Sequence, residues 1–107
     1  MNKISYEERK TVYNDALSVY GTAAQMIVAL EELSELQKEI CKVLRGDIRL
    51  TELQEEVADV TIMLEQIRQA FNINDLVSQT MDFKILRLKG RIADTKANRK
   101  IPEQEES

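Results

Sequence analysis

Two short acidic runs hold the residues best suited to chemistry. EELSE carries Glu31, Glu32 and Glu35, and EEVAD, further along the chain, carries Glu55, Glu56 and Asp59. In each run two carboxylates stand three residues apart inside an apolar, helix-periodic segment, so each run aims two acids the same way from a packed helix. If the two helices pack together, Glu32, Glu35, Glu56 and Asp59 converge on one seam. Glu39 falls near the direction of Glu32 and is a further candidate for the group. Converging carboxylates repel one another and raise one another's pKa. A divalent cation reverses that penalty, and magnesium, which combines a few carboxylates with waters and substrate phosphates, points to a polyphosphate ligand. The alternative is an acid-rich helix face that is merely solvated, since glutamate-rich helices produce such patterns readily.

Composition narrows the chemistry further. The 107 residues include no histidine, which excludes Ser-His-Asp and Cys-His nucleophilic catalysis and imidazole metal ligation. An all-oxygen site selects Mg²⁺ or Mn²⁺, or Ca²⁺, over zinc. The single cysteine, Cys41, excludes an intramolecular disulfide and makes a reducing, cytoplasmic setting the expectation. A net charge of −4 argues against a nucleic-acid partner, because no duplex-wide basic surface is available. No apolar run is long enough for a membrane span, and no signal-peptide pattern opens the chain, so no membrane partner is expected.

The elements that must position the acids follow from periodicity and caps. Only three glycines and one proline occur in the chain, and 43% of residues are hydrophobic, a composition that predicts an all-α fold of four to five long helices in one domain over residues 1–97. A chain this short makes oligomerisation a further expectation. Ser5 predicts an N-cap for a first helix ending near Tyr20 at Gly21. A second helix is expected from a Thr22 cap to Leu44 or Arg45, closed by Gly46, with the stripe Met26, Ala29, Leu33, Leu36, Ile40, Val43 and Leu44. Thr51 with Gln54 reads as a capping box opening a third helix to about Phe71, with the stripe Leu53, Val57, Val60, Leu64, Ile67 and Phe71. Asn74 reads as the cap of a fourth, running to about Lys96 along Val77, Met81, Ile85, Leu88 and Ile92. The polar residues 98–107 read as a flexible acidic tail.

Three further groups invite a role. Lys84, Arg87 and Arg91 share one face of the fourth helix within about 60° of arc, a row that fits triphosphate oxygens or the acidic face of a neighbouring helix. Gln25 lies two turns before Glu32 on nearly the same face and is either a reader of a nucleobase or sugar or an ordinary exposed glutamine. Tyr6, Tyr13, Tyr20, Phe71 and Phe83 read as core residues in preference to base-stacking ones.

The pattern EExxE, a helix-turn-helix spacing, then ExxD resembles the MazG-like branch of the all-α nucleoside triphosphate pyrophosphohydrolases. It is carried by Glu31, Glu32, Glu35, Glu56 and Asp59 within ALEELSELQKEICKVLRG and LQEEVADVTIMLEQI, and extends to MDFKILRLKGRI. The resemblance implies that Glu32, Glu35, Glu56 and Asp59 ligate Mg²⁺ or Mn²⁺, that Glu31 helps to position or deprotonate the attacking water, and that Lys84 and Arg87 contact phosphates. It also implies hydrolysis of a (deoxy)nucleoside triphosphate to the monophosphate and pyrophosphate, in a homodimer or homotetramer serving nucleotide-pool housecleaning. Two other readings remain open: a non-catalytic helical oligomerisation or regulatory bundle, and the sister phosphoribosyl-ATP pyrophosphohydrolases, from which VADVTIMLEQI departs.

Overall fold

The computed structural model describes the backbone of residues 2–106 and the side chains of residues 2–99. Four helices follow one another: α1 (Tyr6–Tyr20), α2 (Thr22–Leu44), α3 (Thr51–Ala70) and α4 (Asn74–Glu106). Among the described residues there is no strand, so the chain is all-α as its composition predicts. α4 extends past the expected end near Lys96, and the expected tail lies, from residue 100 on, outside the residues whose side chains are described. Among the described residues no helix is long and apolar enough to cross a membrane. The chain divides into two compact units, Met1–Asn74 and Asp75–Ser107.

The helix ends show where local chemistry sets the bounds. Ser5 caps α1 as expected, its Oγ accepting the Glu8 N–H at 3.1 Å. Gly21 serves two helices at once: its N–H donates to Leu17 O at 3.0 Å and its carbonyl accepts from Gln25 N–H at 3.1 Å. It does so at φ 91° and ψ 149°, a conformation that essentially only glycine adopts. α2 therefore begins directly at Thr22, and the expected threonine cap is corrected to a glycine cap with no side-chain bond. The Thr51–Gln54 capping box is likewise not formed. Leu50 O already accepts from Gln54 N–H at 2.8 Å, which places Thr51 inside the first turn of α3. Asn74 also stands within its helix; its Oδ1 accepts from Arg68 Nε at 2.8 Å and ties the end of α3 to the start of α4.

α2 and α3 both end in a Schellman motif. After α2, Gly46 (φ 100°) donates to Val43 O and Asp47 to Lys42 O; after α3, Asn72 (φ 53°) donates to Gln69 O and Ile73 to Arg68 O. Each motif pairs carbonyls that the last turn leaves without helical partners. The short connection between Leu44 and Thr51 turns the chain back, so α2 and α3 run antiparallel.

The seam between α2 and α3 is rotated from the one the apolar pattern predicts. Buried and half-buried residues recur along it at Gln25, Ala29, Glu32, Leu36 and Glu39 on α2, and at Leu53, Glu56, Val60, Met63, Ile67 and Ala70 on α3, with Gln66 also buried toward the end of α3. Both sets alternate steps of three and four, the spacing of a left-handed helix pair. Only part of each predicted stripe lies in the seam. Leu33 (39%), Ile40 (45%), Val57 (46%) and Leu64 (48%) stay exposed in the single chain, because three polar residues of α2 take seam positions instead.

α1 closes this unit through polar contacts with α3. The Tyr13 hydroxyl donates to Glu65, which also pairs with Arg9 at 3.3 Å, and Gln69 Nε2 donates to Lys10 O at 2.8 Å and Asn14 Oδ1 at 2.6 Å. Burial, followed by the hydrogen bond and charge of Glu65, pushes the Tyr13 phenol up to about 12. Of the five aromatic residues expected in the core only Tyr13 is buried; Tyr6, Tyr20, Phe71 and Phe83 are exposed. A chain with four buried apolar side chains among the described residues, namely Tyr13, Ala29, Val60 and Met63, has little interior of its own.

Gly21→Ala forces a Cβ into the glycine-only conformation without gaining a contact, since nothing lies within 4 Å of the added atom. The expected cost is about 1–3 kcal/mol, read as a lower urea midpoint with an unchanged m-value.

Candidate metal centre

The seam register brings three carboxylates together. Glu32 occupies a seam position of α2, Glu56 a seam position of α3, and Asp59 lies one turn further along α3 at the seam's edge. One oxygen from each lies within 4.8 Å of the others. Glu32 and Glu56 are half-buried and Asp59 is exposed, while Ala29, Val60 and Met63 close the seam beside them. The trio thus sits at the edge of the α2–α3 contact, with two of its members half-buried and Asp59 facing solvent.

Acidic clusters on open surface are stabilised by water alone; burial distinguishes this one. Glu56 Oε2 is buried and has no hydrogen-bond partner within the protein. Glu32 is pushed up to about 7 from 4.5, first by desolvation and then by the charge of Asp59 and its hydrogen bond, with Glu56 adding to both effects. Four other carboxylates have cationic partners: Glu65 with Arg9, Glu35 with Lys38 at 3.6 Å, Glu39 with Lys42 at 2.8 Å and Asp47 with Arg49 at 3.2 Å. Among the described residues no such pair involves Glu32, Glu56 or Asp59. An orphaned buried oxygen and three close hard donors from two helices fit a small divalent cation such as Mg²⁺ or Mn²⁺.

The other residues singled out by the sequence take varied places. Glu35 lies outside the trio, with its carboxylate turned to Lys38 on the solvent side of α2. That exposed pair is worth little. Glu31 is exposed one position before Glu32. Glu39 is buried, but its charge is answered by Lys42. Gln25 is buried on the seam, so the reading of it as an ordinary exposed glutamine is excluded. In α4, taken by itself, Lys84, Arg87 and Arg91 are all exposed, and the Arg87 guanidinium stands 5.9 Å from the centroid of the Phe83 ring.

Sequence reasoning missed Gln66. It is buried on α3, and its Oε1 has no hydrogen-bond partner within the protein. Its signal was available in the spacing: Gln66 follows Asp59 by two turns, as Glu32 follows Gln25. Comparison with protein-family models, with curated proteins and with solved structures finds no match to this chain.

The raised Glu32 carboxyl couples stability to pH. Between 4.5, its ordinary value, and about 7, the native protein holds a proton that the unfolded chain has released. The stability that goes with this proton is fully present below pH 4.5 and lost as pH rises through about 7. In EDTA, the melting temperature is therefore expected to fall between pH 5 and pH 8, and Glu32→Gln is expected to flatten that slope. An equal slope in both proteins would remove Glu32 as its source.

Proposed function

We infer that this protein is a divalent-cation-dependent hydrolase that cleaves a (deoxy)nucleoside triphosphate to the nucleoside monophosphate and pyrophosphate. The observation that carries the reading is the uncompensated trio of Glu32, Glu56 and Asp59 at a helix seam, its two glutamates half-buried and one carboxylate oxygen left without a partner. Carboxylates so placed raise the free energy of the metal-free fold, and the arrangement makes sense if a cation and its anionic ligand restore the balance. The EExxE and ExxD spacing adds the substrate class through its resemblance to the MazG-like enzymes.

In this reading Glu32, Glu56 and Asp59 hold Mg²⁺ or Mn²⁺, with Glu35 as the fourth ligand once it leaves Lys38. When bound, the cation supplies charge stabilisation to the phosphoanhydride oxygens and acidifies water at neutral pH. Water oxygen bonds to the α-phosphorus, the bond from that phosphorus to the bridging oxygen of the β-phosphate breaks, and pyrophosphate leaves. Glu31 and the seam carboxylates are the bases at hand for the released proton, since the chain has no histidine. Triphosphate oxygens are also the ligands that Lys84, Arg87 and Arg91 fit, lysine as a point charge and arginine as a two-pronged donor.

The same reading includes a second copy of the chain. Leu33 and Ile40 on α2 and Val57 and Leu64 on α3 form apolar rows beside the seam, and the single chain leaves them exposed. An all-α protein of this size with so few buried apolar residues gains the missing interior by pairing those rows across a dimer.

Incubation of the protein with a panel of (d)NTPs and Mg²⁺ is expected to yield monophosphate and pyrophosphate in equal amounts. Glu32→Ala, Glu56→Ala and Asp59→Ala are each expected to lose about 100-fold or more of that turnover, at or beyond the range seen when groups supporting a metal ligand are removed. No turnover on any nucleotide, with no rise in melting temperature from Mg²⁺ plus nucleotide, would leave a non-catalytic bundle as the reading. Light scattering after gel filtration is expected to show a dimer or tetramer. Ile40→Asp combined with Leu64→Asp is expected to lower the mass toward one chain; an unchanged mass would place the interface elsewhere.

A further inference from the structure

The seam carries a second polar station beyond the carboxylates. Gln25 and Gln66 are 8% and 6% exposed, and Gln66 Oε1 is completely enclosed without a hydrogen-bond partner in the protein. A buried amide oxygen left in this state is unfavourable, and an apolar residue of the same size would avoid the cost. The position is therefore an expensive one for a glutamine whose only role is packing.

Its place along the helices relates it to the trio. Gln25 precedes Glu32 by seven residues on α2, and Gln66 follows Asp59 by seven residues on α3. Seven residues make two turns, about 10 Å of rise with a drift of only about 20°, so each glutamine shares an edge with its acid. Because the helices are antiparallel, both steps lead the same way. Between the stations lie Ala29, a small side chain, and Met63, an unbranched and readily rearranged one. α1 bounds this end of the seam, with Tyr13 bonded to Glu65, the residue before Gln66.

We propose that Gln66 of α3, together with Gln25 of α2, forms the subsite that reads the base of the nucleotide whose phosphates the carboxylate trio serves. The inference rests on the triphosphate reading above and deepens it by naming the specificity-determining residue. The Oε1 of Gln66 accepts an N–H of the heterocycle, either a ring imide or an exocyclic amine, and two helical turns match the reach of an extended nucleotide from its phosphates to the far edge of its base. Ala29 and Met63 yield the space that the ring occupies. A buried amide that loses its ligand's donor is left unpaired again, which is how such a site discriminates between bases.

The test reads the side-chain amide of Gln66 by ¹H–¹⁵N NMR, identified by its absence in Gln66→Met. Mg²⁺ with inorganic triphosphate is titrated first, then Mg²⁺ with the non-hydrolysable α,β-methylene analogues of the four dNTPs. Triphosphate is expected to leave the resonance in place, and at least one nucleotide analogue is expected to move it by an amount that depends on the base. Gln66→Met is expected to weaken that analogue about tenfold or more, with triphosphate affinity unchanged. If the methionine variant does not fold, direct assignment of the amide in the wild-type protein gives the same readout. An amide that no analogue moves, or that triphosphate moves equally, overturns the proposal. Turnover with a silent Gln66 keeps the hydrolase and removes the subsite; base-dependent shifts without turnover keep the subsite and remove the hydrolase.

Discussion

Uncompensated negative charge at the α2–α3 seam is the constraint around which this fold is arranged. Helix pairs of this spacing ordinarily fill their contact positions with leucine, isoleucine and valine. Here Gln25, Glu32 and Glu39 take those positions on α2 and Glu56 takes one on α3. The unit resolves each differently. Glu39 is neutralised within its own helix by Lys42. Glu32 and Glu56 have no cationic partner among the described residues; burial first, and then the charge of Asp59, raises the Glu32 carboxyl toward neutrality.

The rest of the unit follows from that placement. With polar residues in the seam, the apolar rows of Leu33 and Ile40 and of Val57 and Leu64 turn outward, and the single chain encloses little apolar volume. α1 compensates in part, through the Tyr13, Glu65 and Arg9 cluster and the Gln69 bonds to Lys10 and Asn14. These contacts fix α1 by direction and not by buried area, since a hydrogen bond contributes about 1 kcal/mol net and demands geometry. A protein built this way spends stability on partly buried charge and leaves apolar rows exposed in the single chain.

Much of this was legible in the residues. Helix-periodic apolar positions, the Ser5 cap and the positive-φ exits at Gly46 and Asn72 are local, and local rules place α1, α2 and α3 to within a residue or two. The candidate metal residues were legible for the same reason: three-residue spacing in a helix fixes which side chains share a face. Three caps were misplaced, and at two of them the competing partner was the backbone. Leu50 O and Gly21 O bonded first, so Thr51 and Thr22 had no capping role left.

What the sequence determined by itself was the helices, the acidic faces and, through the absence of histidine, the hard-oxygen character of any metal chemistry. What only the tertiary structure decided was the rotation of α2 and α3 about their axes. Hydrophobic periodicity cannot distinguish a row that faces its own chain from one that faces outward, because the free energy of burying a leucine is the same against either. That rotation put one oxygen each of Glu32, Glu56 and Asp59 within 4.8 Å of the others and left Glu35 with Lys38. It also enclosed Gln66, a residue whose type and spacing said little until its burial was known.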